Sequence, residues 1–344
     1  MADHLGPIYV YPPHSPVPVK HWLLLLLCLC TRAIHIEPLS NYDARTVSAA
    51  FERLWNRRGL TQCEIHMDQA SSFTAFGKFL ASFAALRPLR ILFGPVRAPW
   101  VHGGVEVGVK LAKHSLRPML HGRRINDEDL HIIATAVEAT INSCPLTTLS
   151  PDPADLAPLT PGHFLQPHLS TALPQPLHQL PGPHTLRSSF RLRQAALDDF
   201  WMRWHREYLQ GLRQRHQQQL RQGRPSLLRP NSAYILAEPP PTPRTSWKLV
   251  CLLRLRPGPD GIIRYADVRD ANGHESTRSV AHLVPLELDA DDAVGPEDEW
   301  DDGDERGREG PGDEDEPEGG ERLPVPPLTA RGLRALHRQL RQPH

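Results

Sequence analysis

Glu106 stands in a stretch whose charged residues recur at helical spacing. Glu106, Lys110, Lys113 and Arg117 lie at i, i+4, i+7 and i+11 and so share one helix face. A carboxylate followed by a row of cations suits phosphodiester chemistry, because the acid can hold a divalent metal and the cations can hold phosphates. Val105, Val109, Ala112 and Leu116 repeat on a neighbouring face, which can pack on a core, and Gly103-Gly104 breaks the extended chain just before the helix. The same pattern fits a plain surface helix supported by Glu–Lys pairs four residues apart. The surrounding elements have to decide between the two.

Those elements alternate. The apolar run from Trp22 to Cys30 predicts a strand buried on both faces, with Cys28 and Cys30 on one face as small buried residues, and 31–37 predicts a second strand or an extension of the first. Ser40 or Asn41 is expected to cap a helix with Val47, Ala50, Phe51, Leu54 and Trp55 on its buried face. Residues 62–67 read as a short strand ending at Asp68, 76–85 as a helix and 90–93 as a strand. Asn126 is placed to cap a helix with Leu130, Ile133, Ala134, Val137 and Ile141 inward. After a proline-rich stretch, 190–222 predicts a long helix. Its Trp201, Trp204 and Tyr208, at i, i+3 and i+7, are expected to pack in a core. Four short strands follow over 232–286, with turns at Pro257-Gly258-Pro259-Asp260-Gly261 and Ala271-Asn272-Gly273. Strands alternating with helices argue for a mixed α/β layer fold followed by a small β-domain.

The charge is divided along the chain. Although the formal net charge is zero, residues 1–286 carry 32 Lys+Arg against 21 Asp+Glu, a surplus of 11. Residues 287–321 hold 18 acids and two arginines. A basic body suggests a polyanionic partner, and the acidic block is expected to be disordered and able to bind basic proteins. Five irregularly spaced cysteines fit neither a disulfide framework nor a zinc module, so a reducing, intracellular compartment is expected. The apolar run at 21–30 is shorter than the ~20 residues of a membrane span and lacks signal-peptide features, so no membrane role is expected.

Taken in order, several stretches resemble the integrase of BEL/Pao-type LTR retrotransposons, within the DDE transposase/integrase superfamily. They are Ala2-Asp3-His4-Leu5-Gly6-Pro7, the run Leu29 to Glu37, Ile65 to Phe73, Ala98 to Lys113, Ile141 to Thr147, Leu159 to Leu165, and Phe200 to Leu209. The resemblance implies an RNase H-like core over 1–150, a mixed sheet with helices on both faces. It further implies a proline-rich connector and long helix over 151–228, an SH3-like β-barrel over 229–288, and a disordered acidic tail with a short basic C-terminal helix over 289–344. It makes Asp3, Asp68 and Glu106 the catalytic, metal-holding acids, with two Mg2+ or Mn2+ ions and no zinc. Lys110, Lys113, Arg117, Arg254, Arg256 and Arg264, with Arg269 beside them, become candidate DNA contacts. DNA is the implied partner, a homo-oligomer is compatible, and a nuclear location is expected.

The chain departs from the family pattern in places. Only Met1 and Ala2 precede Asp3 here, where the family pattern leads to the expectation of a strand running up to that acid and a zinc-binding domain upstream. Gln69 and Ala70 replace Asn and Gly after the second aspartate, and His102 and Val105 stand where a glycine and an aromatic are expected. Two functions follow. One is metal-dependent DNA cleavage and strand transfer; the other is an N-terminally truncated or domesticated relic that binds nucleic acid or protein without cutting.

Overall fold

The computed structural model describes residues 1–58, 63–67, 75–78, 89–93, 103–166, 184–221, 228–237, 244–288 and 330–341. Strands β1 (Ala2–Val10), β2 (Val19–Leu27) and β3 (Ile34–Leu39) form an antiparallel sheet in that order. Strands β4 (Cys63–Met67) and β5 (Leu89–Phe93) pair in parallel, and β4 lies beside β1. The leucine run explains how helices come to cover both faces. Successive side chains of a strand point to opposite sides. Leu23, Leu25 and Leu27 therefore enter one core and Leu24 and Leu26 the other. Each fully buried leucine contributes about 1.5–3 kcal/mol, so a run buried on both sides anchors the sheet.

Helix α1 (Ala44–Arg58) covers the Leu24 side, with Val47, Ala50, Phe51, Leu54 and Trp55 buried as the periodicity predicts. Its cap differs from expectation. Asp43 does the work, its Oδ1 accepting both the Thr46 N–H and the Thr46 hydroxyl at 2.8 Å, while Asn41 holds Asp43 from outside. A carboxylate favours the positive end of the helix dipole, which neither Ser40 nor Asn41 could match.

Helices α2 (Gly103–Leu120) and α3 (Asp127–Asn142) cover the Leu23 side. Asn126 caps α3 in a reciprocal capping box with Asp129, as expected. Strand β6 (Thr147–Thr148) pairs with β7 (Pro158–Leu159), and a single turn of helix, α4 (Gly162–Leu165), follows. The long helix α5 (His184–Arg221) packs its Ala196, Leu197, Phe200, Trp201 and Trp204 into the same core as α2 and α3. Farther along, its Leu209 and Leu212 lie under the second sheet.

That sheet runs β11-β10-β9-β8-β12, with β8 (Ala233–Leu236), β9 (Leu249–Pro257), β10 (Ile263–Asp270), β11 (Glu275–Ser279) and β12 (Leu283–Pro285). The single strand expected at 279–286 is instead a short 3-10 turn, Val280–His282, leading into β12. Ser279 caps that turn, its hydroxyl accepting the Ala281 N–H. Helix α6 (Ala330–Arg341) docks beside α4, where Leu333 joins Leu146, Leu159 and Leu288 in one small core. Arg334 is buried there, with its Nε donating to the Thr148 carbonyl at 2.8 Å. No described helix is long and apolar enough to cross a membrane.

Candidate active site

Asp3 is the one proposed catalytic acid whose side chain the structure describes. A strand leading up to it is not what holds it. β1 starts at Ala2 and runs past Asp3, which sits opposite Leu25 of β2. The Met1 ammonium donates to the Leu27 carbonyl at 2.8 Å, and the Leu27 N–H returns a bond to Met1 at 2.9 Å. Strand β1 itself, paired with β2, therefore places this acid. Three residues on from Asp3, Gly6 lies so close to Trp22 that a Cβ there would fall inside the indole, which explains the glycine of the Gly6-Pro7 pair.

The Asp3 carboxylate takes the His4 N–H on Oδ1 at 2.7 Å and the Lys113 ammonium on Oδ2. Lys113 projects from α2, the helix whose first turn contains Glu106, so that helix is tied directly to the acid on β1. Glu106 lies seven residues earlier, about 10.5 Å along the axis at 1.5 Å per residue. Its side chain lies outside the described residues, and so does the whole of Asp68. Asp68 is the residue after Met67, the last of β4, and β4 adjoins β1. Burial holds the His4 imidazole neutral, with a pKa near 4; the Asp3 charge opposes this and Lys113 reinforces it.

The candidate DNA contacts divide. Lys110 and Arg117 are exposed on α2, while Lys113 is engaged with Asp3. In the second sheet Asp267 holds Arg254 at 2.9 Å and Arg256 at 2.7 Å, and Asp260 holds Arg264 at 2.7 Å. The two arginines draw the Asp267 carboxyl down to about 2. Such exposed pairs exchange partners at little cost, so these arginines remain able to meet phosphates. Trp201 and Trp204 are buried, as their spacing predicted. Cys28 and Cys30 are not. The chain leaves β2 at Leu27 and turns, which puts both cysteines in solvent instead of on a buried strand face.

Sequence reasoning missed a buried charge network at the far edge of the first sheet. His35 and Glu37 project from β3, all of whose residues are buried. His35 Nε2 lies 3.1 Å from Glu37 and Nδ1 3.1 Å from Glu138 of α3. Arg53 reaches Glu37 at 2.6 Å, Arg57 joins it, and Arg58 pairs with Glu138. The edge of β3 is capped by the same helix. Glu138 accepts the Ile36 N–H at 2.9 Å, and the Asn142 amide both accepts from and donates to Ile34 at 2.8 Å. The available signal was His35 and Glu37 inside a run predicted to be strand.

Burial disfavours charged His35, but the Glu138 and Glu37 carboxylates outweigh it and raise its pKa. Burial likewise opposes ionised Glu37, and His35, Arg53 and Arg57 outweigh that, lowering its pKa. The His35 contribution is whole below the ordinary value of 6.5 and is lost as pH rises through the raised one. The Glu37 contribution is whole above 4.5 and is lost as pH falls through the lowered one. Urea midpoints should therefore peak between those two ordinary values and decline on the alkaline side. A midpoint unchanged from weakly acid to strongly alkaline pH would contradict a charged His35.

A family of unknown function (DUF5641) matches residues 188–286, from within α5 to just past β12 and less than half of the chain. No curated protein matches. Among solved structures the chain is similar to a cryo-EM structure of the simian T-cell lymphotropic virus intasome in complex with PP2A regulatory subunit B56 gamma. The identity is 11%, the TM-score 0.33, and the match covers 82% of this chain and 77% of that one. The likeness is to a retroviral intasome chain. At that score it adds no detail to the site, which rests on the geometry above.

Proposed function

We propose that the chain is a retroelement-derived, integrase-like DNA-binding protein, with an RNase H-like core and an SH3-like second domain. In this reading Asp3, Asp68 and Glu106 form a metal-dependent site for phosphodiester cleavage and strand transfer. The observation that carries it is the contact between Asp3 and Lys113, which ties the acid of β1 to the helix whose first turn contains Glu106. The order of the motifs along the chain supports it too. Carboxylate oxygens are the hard donors that Mg2+ and Mn2+ prefer, and the Asp3 carboxylate already accepts a cation, the Lys113 ammonium. Bound there, a divalent ion would activate the attacking hydroxyl or water and stabilise the leaving oxygen. This chain's own contribution is to hold Asp3 on β1 against the helix that carries Glu106, and to seat phosphates on Lys110 and Arg117.

The same contact also favours a second reading. With Lys113 on Asp3 the carboxylate is satisfied without metal, as suits a relic that binds DNA and no longer cuts it. A nicking and strand-transfer assay with Mn2+ separates the two. Wild type should cut and Glu106→Gln should lose the signal; equal signal from both would remove the catalytic site. DNA affinity should fall steeply with salt in either case. Replacing Lys110 and Arg117 by alanine should lower the slope of log affinity against log salt by about 0.9 per lost phosphate contact. A salt-independent affinity would defeat both readings.

A further inference from the structure

The turn joining β2 and β3 carries two exposed cysteines two residues apart, independently of any DNA chemistry. Cys28 N–H donates to the Ala33 carbonyl at 2.8 Å and Arg32 N–H to the Cys28 carbonyl at 3.1 Å, which closes the turn. Arg32 adopts φ 60° to complete it. The Thr31 N–H donates to the Cys28 sulfur at 3.4 Å. Two residues of extended chain span about 6.6 Å, and a turn shortens that. The pair therefore falls within the Cα separation of about 4.4–6.8 Å that disulfides use.

The two sulfurs differ in character. The neighbouring Cys30 thiol, helped by the Thr31 N–H, lowers the pKa of the Cys28 thiol and so favours its thiolate. Its neighbour Cys28 in turn pushes the Cys30 thiol above the ordinary thiol range. A nucleophilic thiolate thus sits beside a thiol able to resolve it. By contrast, Cys144 and Cys251 are buried, and burial raises both thiols.

We propose that Cys28 and Cys30 form a reversible dithiol–disulfide site oxidised by a hydroperoxide. The Cys28 thiolate attacks one peroxide oxygen. The O–O bond breaks, an S–O bond forms, and the other oxygen leaves as an alcohol, or as water from hydrogen peroxide, after taking a proton. Cys30 sulfur then attacks the Cys28 sulfenic acid. The S–S bond forms, the S–O bond breaks, and the hydroxyl departs as water with the Cys30 proton. Each sulfur gives up one electron and the peroxide takes two; a dithiol reductant reverses the change.

The test uses the full, reduced chain, treated with equimolar hydrogen peroxide, blocked with an alkylating agent and digested with trypsin. The tryptic peptide 21–32 contains Cys28 and Cys30 and no other cysteine. It should lose the mass of two hydrogens and regain it with dithiothreitol, while the peptides of Cys144 and Cys251 stay reduced. In Cys30→Ser, which keeps a hydroxyl donor beside Cys28, oxidation should stop at a sulfenic acid that dimedone captures. Cys28→Ser should leave Cys30 unoxidised at the same dose. The proposal is overturned if peptide 21–32 stays reduced, if it crosslinks between chains, or if wild-type Cys28 proceeds to sulfinic acid without forming the disulfide.

Discussion

Glu138→Ala should destabilise the fold by about 3–5 kcal/mol, the usual cost of removing one partner from a buried ion pair. Three groups would be stranded together. Arg58 would lose its carboxylate, His35 the partner on Nδ1, and the Ile36 N–H its acceptor. Glu37 would still pair with Arg53 and Arg57, so part of the network would survive on the α1 side. Glu138→Gln isolates the charge from the shape. Its amide oxygen can still accept from Ile36, but it leaves His35 with one carboxylate in place of two. Glutamine should therefore fall between wild type and alanine, and its alkaline limb should begin at lower pH. Domain stabilities run about 5–15 kcal/mol, so the alanine variant would stand near the edge of folding at neutral pH. Urea denaturation followed by circular dichroism reads both effects. A loss under about 1 kcal/mol for alanine would mean that the network is solvated and not structural.

Trp204→Ala is the second large effect, also about 3–5 kcal/mol, the range for deleting a buried aromatic ring. Trp204 is 3% exposed and stacks between Phe200 at 5.9 Å and Tyr208 at 6.0 Å, one helical turn to either side. Its Nε1 donates to the Cys144 sulfur at 3.2 Å, and the Tyr208 hydroxyl donates to the Pro145 carbonyl at 3.2 Å. Truncation would open a cavity where α5 meets the end of α3 and would strand nothing charged, so the loss should not depend on pH. Met202, exposed on the same helix, is the control: Met202→Ala should move stability by no more than about 0.5 kcal/mol. The two variants also test whether these aromatics stack on bases. If Trp204→Ala weakened DNA binding and left stability unchanged, the ring would belong to a nucleic-acid surface and not to the core.

Most regular elements were legible because their apolar residues repeat at strand or helix spacing. The five leucines of β2 announced a strand covered on both sides, and Val47 to Trp55 announced the buried face of α1. The Asn126 cap could be read because its partner Asp129 lies three residues away. The α1 cap was misplaced because Ser40, Asn41 and Asp43 are all acceptable cap residues, and only the backbone geometry selects Asp43. Cys28 and Cys30 were assigned to a strand because nothing in the pattern marks where β2 ends. The turn depends on Arg32 taking a left-handed φ without glycine. The motifs around Asn142, Cys144 and His163 turn out to join elements: Asn142 caps the edge of β3, Cys144 accepts from Trp204, and His163 accepts the Thr160 N–H at 3.0 Å. The helix expected over 76–85 and the histidine at 102 lie mainly or wholly outside the described residues.

By itself the sequence determined the type and order of most helices and strands, the basic body with its separate acidic block, and the faces of the helices at 44–58 and 127–142 that seek apolar cover. Those follow from periodicity and local hydrogen bonding, which act over a few residues. Only the tertiary structure decided that Lys113 meets Asp3, that His35 lies between two carboxylates, and that α6 docks against β6. The pairs Asp3–Lys113, His35–Glu138 and Thr148–Arg334 each join residues 100 or more positions apart. Their energy depends on burial and on distances of a few ångströms, which no local pattern encodes.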